Sequence, residues 1–583
     1  MPMPFYLAGS IKSRIILALM LLVAATLVLS PLRAMEPVQG EKLQLRVGAL
    51  AEDPRVAGQA VGDAWFLTRF YERRQFTPAW DSPAKVAELL KAINESTKHG
   101  FAPGDYHRDA LAELVAAAPQ APTASAAIEL DLLATDSLIR LAFHLRFGKV
   151  DPRQLEPSWN FSRDMDGVDP VDFIEALLTA DDLATALAAQ APDSDFYRGL
   201  AAYLEIYREI GARGGWPEIG AGPTLRLGMA TDRIALLRQR LWLTGDLTDD
   251  PAMHLVEEQA ADPMVDWDDT RREHVAAVAV FDSALEAAVR RFQERHGLAV
   301  DGLVGRQTVA ELDVPVEHRI AQLRVNMERA RWVFRDLEPR LLLVNIARFR
   351  VLLIEAGEVT WSTRAVVGRP YRQTPVFKAR MTYLEFNPTW TVPPTILRQD
   401  LLPDIRRDPE VLQRRNMVVL DAQGRHVDPA TIDWVNVTAR TFPYMIRQLP
   451  GPENALGRVK FMYPNPYHVY MHDTPARDLF ERSARSFSSG CIRLEKPFEL
   501  ASRLLAGTEW DDAAIDQALA SGRTRVVNLA RPITVLTLYG TAVPEAGQIV
   551  FAPDIYERDA RLLRALDAPL VFSPPGGYEE ALR

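Results

Sequence analysis

The sequence predicts a multidomain α+β protein. It should comprise a mainly helical N-terminal scaffold, a small three-helix module and a mostly-β C-terminal sandwich with a helical insertion. Three observations carry this. At 583 residues the chain is too long for one hydrophobic core. Apolar residues recur at helical spacing between positions 51 and 222. After position 340 the texture changes to short apolar runs bounded by turn residues. Hydrophobic residues at 48% and charged residues at 25% are ordinary for globular chains. A net charge of −10 gives no basic footprint for nucleic acid. One cysteine and ten scattered histidines rule out the usual structural zinc sites, and no metal or cofactor motif stands out.

In chain order, Lys12 and Arg14 precede an apolar run from Ile15 to Leu29, broken by Ser30 and Pro31. This pattern predicts an export signal or a membrane anchor over residues 1–34, with the rest of the chain outside the cytoplasm. The run is short for a spanning helix, which needs about twenty apolar residues. The scaffold, residues 51–222, contains periodic runs such as Val86–Ile93 and Ile128–Leu133. Turn signals at Gly100–Gly104, Pro119–Pro122 and Gly167–Pro170 separate them.

Residues 231–314 form the small module. A helix begins near Arg233 and ends before Gly245-Asp246. Asp282 or Ser283 caps a second helix, with Glu286 placed for a capping box. The glycine-rich turn Val300-Asp301-Gly302-Leu303-Val304-Gly305 leads to a short helix from Thr308. An acidic insert separates Thr248 from Val280. A linker helix is expected over 315–339.

The C-terminal domain, residues 340–559, reads as an antiparallel sandwich or barrel. Strands are predicted at Arg340–Ile346, Phe349–Glu355, Ser362–Gly368, Thr382–Phe386, Gly457–Met462, Tyr467–Met471 and Ile533–Tyr539. Residues 395–448 are charge-rich and helical in pattern, which predicts a lid insertion outside the sheet. Helices are predicted at Pro497–Leu505 and Asp512–Ala520, and residues 560–583 as a polar tail.

Within this domain lies the stretch from Tyr470 to Arg493. Cys491 is the sole cysteine of the chain, and His472 precedes it by nineteen positions. An exported protein with one cysteine has no internal disulfide partner, so its thiol is a candidate for chemical use rather than packing. A thiol needs a base or a positive neighbour to become a nucleophile, and His472 and Arg493 are at hand. Gly490 predicts a tight turn where backbone N–H groups approach an acyl oxygen.

Two resemblances follow from these residues. Residues 231–314, with Ala287-Ala288-Val289-Arg290-Arg291-Phe292-Gln293 and Asp301-Gly302 through Gly305 to Thr308, resemble the common peptidoglycan-binding module. His472-Asp473-Thr474 followed by Ser488-Ser489-Gly490-Cys491-Ile492-Arg493 resembles the active-site signature of L,D-transpeptidases, in particular their large Gram-negative branch. The resemblance implies that Cys491 attacks the third stem residue of a peptidoglycan tetrapeptide, a diamino acid, and forms a thioester. The amine of a second stem then resolves it, giving a 3→3 cross-link. It implies His472 as general base, with Gly490, Tyr470 and Asp473 as oxyanion or orienting groups. Ser489, Arg493 and Trp390 would contact substrate. No cofactor is implied. The partners are stem peptides, with other wall-synthesis proteins meeting the helical scaffold in the periplasm. An L,D-carboxypeptidase or a lipoprotein-to-wall transferase would use the same residues, and a non-catalytic wall-binding scaffold belongs to a different class.

Overall fold

The computed structural model describes residues 37–117, 123–161, 165, 167–248, 250, 253, 279–335, 337–438 and 440–569. The predicted signal or anchor lies outside the described residues, as does most of the acidic insert. Among the described residues no helix is long and apolar enough to cross a membrane. The described residues fall in two compact units, the first within 1–150, 162–194 and 566–583 and the second within 151–161 and 195–565.

The first unit is helical and surrounds Ala124–Phe147, which is buried along nearly its whole length. That helix carries polar side chains into the core, and its two buried carboxylates are paired there. The Asp131 carboxylate accepts from the Ala79 and Trp80 N–H groups and from the Tyr71 hydroxyl. Asp136 pairs with His107 at 2.8 Å and Arg140 at 2.6 Å. A buried carboxylate persists only when paired or hydrogen-bonded, so these groups pin the loops around the helix.

In the second unit, helices Asp232–Leu243, Ser283–Arg295 and Arg306–Leu312 enclose a core that includes Leu237, Leu241, Phe281, Leu285 and Phe292. Asp282 caps the middle helix by accepting from the Leu285 N–H at 2.8 Å. The expected capping box is not formed, because Glu286 pairs with Arg290. This three-helix body packs on the hairpin formed by Ala542–Glu545 and Gln548–Phe551. The His296 ring stacks between those of Phe292 and Phe551. Beside it, Arg295 and Asp246 form a buried ion pair.

The expected linker helix is a core element instead. Val316–Val333 is buried over most of its turns. Its Glu328 and Arg331 pair with fully buried side chains, and Arg331 donates to the Tyr197 hydroxyl at 2.7 Å. Its Asn326 and Gln322 bond Thr541. Its polar residues are thus turned inward, where a linker would expose them.

Nine strands form the main sheet of the C-terminal domain: β1 Arg340–Asn345, β2 Arg350–Glu355, β3 Glu358–Gly368, β4 Lys378–Phe386, β5 Val459–Met462, β6 Met471–His472, β7 Ser486–Ser488, β8 Ile492–Leu494 and β9 Arg525–Leu538. Their order is β7-β3-β8-β6-β5-β4-β9-β1-β2, and β2 also pairs with β3. The ladder therefore closes on itself, because the eleven-residue β3 serves β2 with its first part and β8 with its last. It is not purely antiparallel: β6 with β8, β7 with β3 and β9 with β1 run parallel. Leu342, Val344, Val351, Met381, Leu384, Phe461 and Ile492 fill the core.

The insertion stays out of this sheet, but it is not only helical. Trp390–Thr391, Met445–Gln448, Met417–Leu420 and His426–Val427 make a separate four-stranded sheet. Short helical turns between Pro394 and Arg414 cover it, around a core of Leu401, Ile405, Val419, Trp434 and Ile446. Its strands are two to four residues long, too short for period-2 alternation to register. The expected C-terminal tail begins as a helix, Asp559–Asp567, with Leu562 and Leu566 buried.

Candidate active site

Parallel pairing of β6 with β8 brings the two halves of the signature together. Met471 lies opposite Ile492, and His472 opposite Arg493. Side chains alternate along a strand. Met471 and Ile492 are fully buried in the core, so Tyr470, His472, Cys491 and Arg493 share the other face. β5 adds Lys460 opposite His472. The Lys460 ammonium stands 4.5 Å from the Tyr470 ring centre and 3.5 Å from the Glu385 carboxylate.

The strand predicted over Tyr467–Met471 is shorter, because its first half is a turn. Asn465 holds that turn, with Oδ1 accepting from the Tyr467 and Val469 N–H groups and Nδ2 donating to the Tyr463 and Val469 carbonyls. His468 takes a left-handed φ of 54° within it. The turn aims the His468 carbonyl at Cys491, whose Sγ donates to it at 3.8 Å.

The loop before the thiol is fixed from two sides. Gly490 has φ 116°, a region that side chains other than glycine enter only at a cost. Its carbonyl accepts from the Thr374 hydroxyl at 2.9 Å. Its N–H, expected among the oxyanion donors, donates instead to Ser488 Oγ at 3.0 Å, and Ser488 Oγ donates to the Cys491 carbonyl at 2.5 Å. Gly490 therefore shapes the loop, while the Cys491 N–H meets no acceptor among the described residues. Thr374 is itself held, because its N–H donates to the Tyr556 hydroxyl, which donates to the Gly368 carbonyl. Gly490→Ala should cost about 1–3 kcal/mol of local strain and slow thiol acylation. Thermal unfolding read beside acylation kinetics checks both.

His472 is 4% exposed. Burial, and then the nearby Arg493 and Lys460 cations, push its pKa down to about 3. Its Nδ1 lies 2.5 Å from the Asp473 carbonyl. A neutral imidazole that donates there keeps Nε2 as an acceptor. The Asp473 carboxylate faces elsewhere, accepting from the Arg458 N–H at 2.9 Å. Burial raises the Cys491 thiol, while hydrogen bonds from Tyr470 and the charges of Lys460 and Arg493 act to lower it. No hydrogen bond joins Sγ to His472. Such contacts often tighten only when substrate is bound.

The remaining predicted residues lie around this core. The Trp390 indole lies beside the Tyr470 hydroxyl and acts to lower its pKa, and its ring packs against the core of the insertion. Arg493 is half-buried, with an Nε that lacks a hydrogen-bond partner among the described residues. Ser489 is exposed and accepts from Arg372 at 2.8 Å. Sequence reasoning missed Arg372, Thr374, Lys460, Asn465 and Tyr556. All five act through contacts between segments distant in sequence or through a side-chain turn. The available signal was the proline-bounded run Pro370–Pro375 following Gly368.

The fold and site define a class: a closed-ladder β-domain presenting a thiol and a buried neutral imidazole on one sheet face. Comparison with known proteins makes the class specific. Residues 339–517 match the family model described as "L,D-transpeptidase catalytic domain". Residues 273–312 match "Putative peptidoglycan binding domain", and residues 66–204 match "Scaffold domain". The chain is therefore similar to an L,D-transpeptidase catalytic domain over residues 339–517 and to a peptidoglycan-binding domain over residues 273–312. A Haemophilus influenzae protein named "Putative L,D-transpeptidase" is 37% identical over 270 residues, which are 46% of this chain and 54% of that protein. The chain thus spans about half the length of this curated relative. Among solved structures, an L,D-transpeptidase from Xylanimonas cellulosilytica matches at 14% identity, covering 55% of this chain and 99% of that one, with a TM-score of 0.16. The Ldtfm-avibactam carbamoyl enzyme matches at 14% identity over 35% of this chain and 49% of that one, also with a TM-score of 0.16.

Proposed function

We propose that this protein is a periplasmic peptidoglycan L,D-transpeptidase that makes 3→3 cross-links through a thioester on Cys491. The observation that carries the reading is the placement of the sole thiol behind Gly490, on the sheet face it shares with His472. In the proposed cycle His472 Nε2 takes the thiol proton, and the thiolate attacks the carbonyl of the third stem residue. The C–S bond forms and the carbonyl oxygen takes the negative charge, facing the Cys491 N–H. Collapse breaks the amide bond, and the imidazolium gives its proton to the departing D-alanine amine. The amine of a second stem then attacks the thioester, His472 takes its proton, and the thiolate leaves. Lys460, Arg493 and the Tyr470 hydroxyl favour the thiolate at both ends of the cycle.

Incubation with a disaccharide tetrapeptide, followed by mass spectrometry, tests the reading. A cross-linked dimer supports it. Tripeptide alone makes the protein an L,D-carboxypeptidase, and unreacted substrate overturns the proposal.

The insertion at 395–448 acts as a lid in this reading. Its core reaches the site through Trp390 and Tyr470. Water far outnumbers the acceptor amine, so transfer wins only where water is kept out and the amine is positioned. Replacing residues 395–448 by a short Gly-Ser linker should preserve thiol reactivity and raise the ratio of tripeptide to dimer. An unchanged ratio in a folded variant removes the lid role.

A further inference from the structure

Arg372 lies in the segment between β3 and β4, and its side chain is only 9% exposed. The guanidinium donates to Ser489 Oγ at 2.8 Å, two residues before Cys491. It also faces both oxygens of the Asp400 carboxylate, at 2.6 and 3.3 Å, and bonds the Gln399 carboxamide. Asp400 and Gln399 belong to the insertion, in the wide helical turn Leu397–Leu401. The Asp400 side chain is 45% exposed. A nearly buried arginine beside the catalytic loop thus holds a carboxylate that reaches in from the lid.

Arg372 is not what keeps that loop in place. Thr374 holds the Gly490 carbonyl, Ser488 Oγ holds the Gly490 N–H, and the Ser488 carbonyl accepts from the Arg369 N–H at 3.0 Å. The guanidinium is therefore available for a ligand, and its planar fork suits a carboxylate with two oxygens. A donor stem has such a group close to the reacting carbonyl. The carboxylate of the leaving fourth residue lies three bonds from the attacked carbon, within about 4 Å, and Ser489 lies within about 7 Å of Cys491 along the chain. A diamino acid that bears a side-chain carboxylate offers a second source.

We propose that Arg372 is a carboxylate clamp for the donor stem peptide, and that Asp400 occupies it until substrate displaces the lid. This rests on the transpeptidase reading above. Arg372 is thereby a positioning residue that sets preference for an acidic stem, and Asp400 is a built-in competitor.

The test measures acylation of Cys491 by intact-protein mass. Three tetrapeptide donors are compared: the free acid, the form amidated at the terminal carboxylate, and the form amidated on the diamino acid side chain. In the unmodified protein one amidation should slow acylation about tenfold or more, the scale of a lost charged hydrogen bond. That arm identifies which carboxylate is clamped. In Arg372→Gln the free acid should react slowly and the amide penalty should vanish. Asp400→Asn, at a half-exposed position, should lower KM for the free acid several-fold with kcat unchanged. A melting curve establishes that each variant is folded, and alkylation by iodoacetamide that its thiol remains reactive. Acylation in which Arg372→Gln penalises the amides as much as the unmodified protein does overturns the clamp alone. If Arg372→Gln does not fold, an unchanged KM in Asp400→Asn does the same. No acylation of the unmodified protein by any donor overturns the clamp and the transpeptidase reading together.

Discussion

Cys491→Ala should abolish acyl transfer while leaving the protein folded. The side chain is small and half-buried, and its Sγ donates one long hydrogen bond, to the His468 carbonyl. The loop around it is held by Thr374, Ser488 and the left-handed Gly490, none of which uses the sulfur. Removing Sγ therefore removes the nucleophile and little else. Turnover of a disaccharide tetrapeptide should fall by at least roughly 10⁴-fold, the scale seen when a nucleophile is deleted from an acyl-transfer site. The covalent adduct should disappear from the intact-protein mass spectrum. Cys491→Ser should behave the same way. A hydroxyl ionises far less readily than a thiol, and burial in this site already opposes the anion. Substantial dimer formation by purified Cys491→Ala would falsify the nucleophile assignment.

How legible the sequence is depends on how local the deciding interactions are. The helices Pro497–Leu505 and Asp512–Ala520 were readable to the residue, since proline at a first turn and aspartate at a cap are local signals. The change of texture near position 340 marked the β-domain because apolar alternation is also local. What escaped was set by pairing between distant segments. Closure of the ladder depends on β3 serving two partners along its length, and no window of sequence carries that. The helix Val316–Val333, expected as a linker, carries Arg319, Gln322, Asn326, Glu328 and Arg331, all of them buried. At the site, the thiol, the imidazole and the left-handed glycine were visible as residue types. The spending of the Gly490 N–H on Ser488, and the clasp from Asp400 through Arg372 to Ser489, exist only in three dimensions.

His472→Ala should slow acylation of Cys491 by roughly a hundredfold or more near neutral pH, the usual scale for loss of a general base. The imidazole is a base ready to act there because burial, with Arg493 and Lys460 nearby, keeps it neutral down to about pH 3. The unmodified protein should therefore show no loss of its base across the neutral range. Its acylation rate should rise with pH as the raised thiol ionises. In the variant the dependence should be steeper, and the gap between the two should close at alkaline pH, where hydroxide makes the thiolate without help. The same burial links His472 to stability. Below about pH 6.5 the unfolded chain binds a proton on this histidine, whereas the folded site resists it until about pH 3. The unfolded state then holds more protons, so the stability that neutral His472 contributes is lost as pH falls from about 6.5 towards 3. His472→Ala should flatten that part of the stability curve, measured by denaturant unfolding at a series of pH values. An unchanged acylation rate near pH 7 would assign the base elsewhere. His468 is then the next histidine to test, since its backbone carbonyl already meets the thiol.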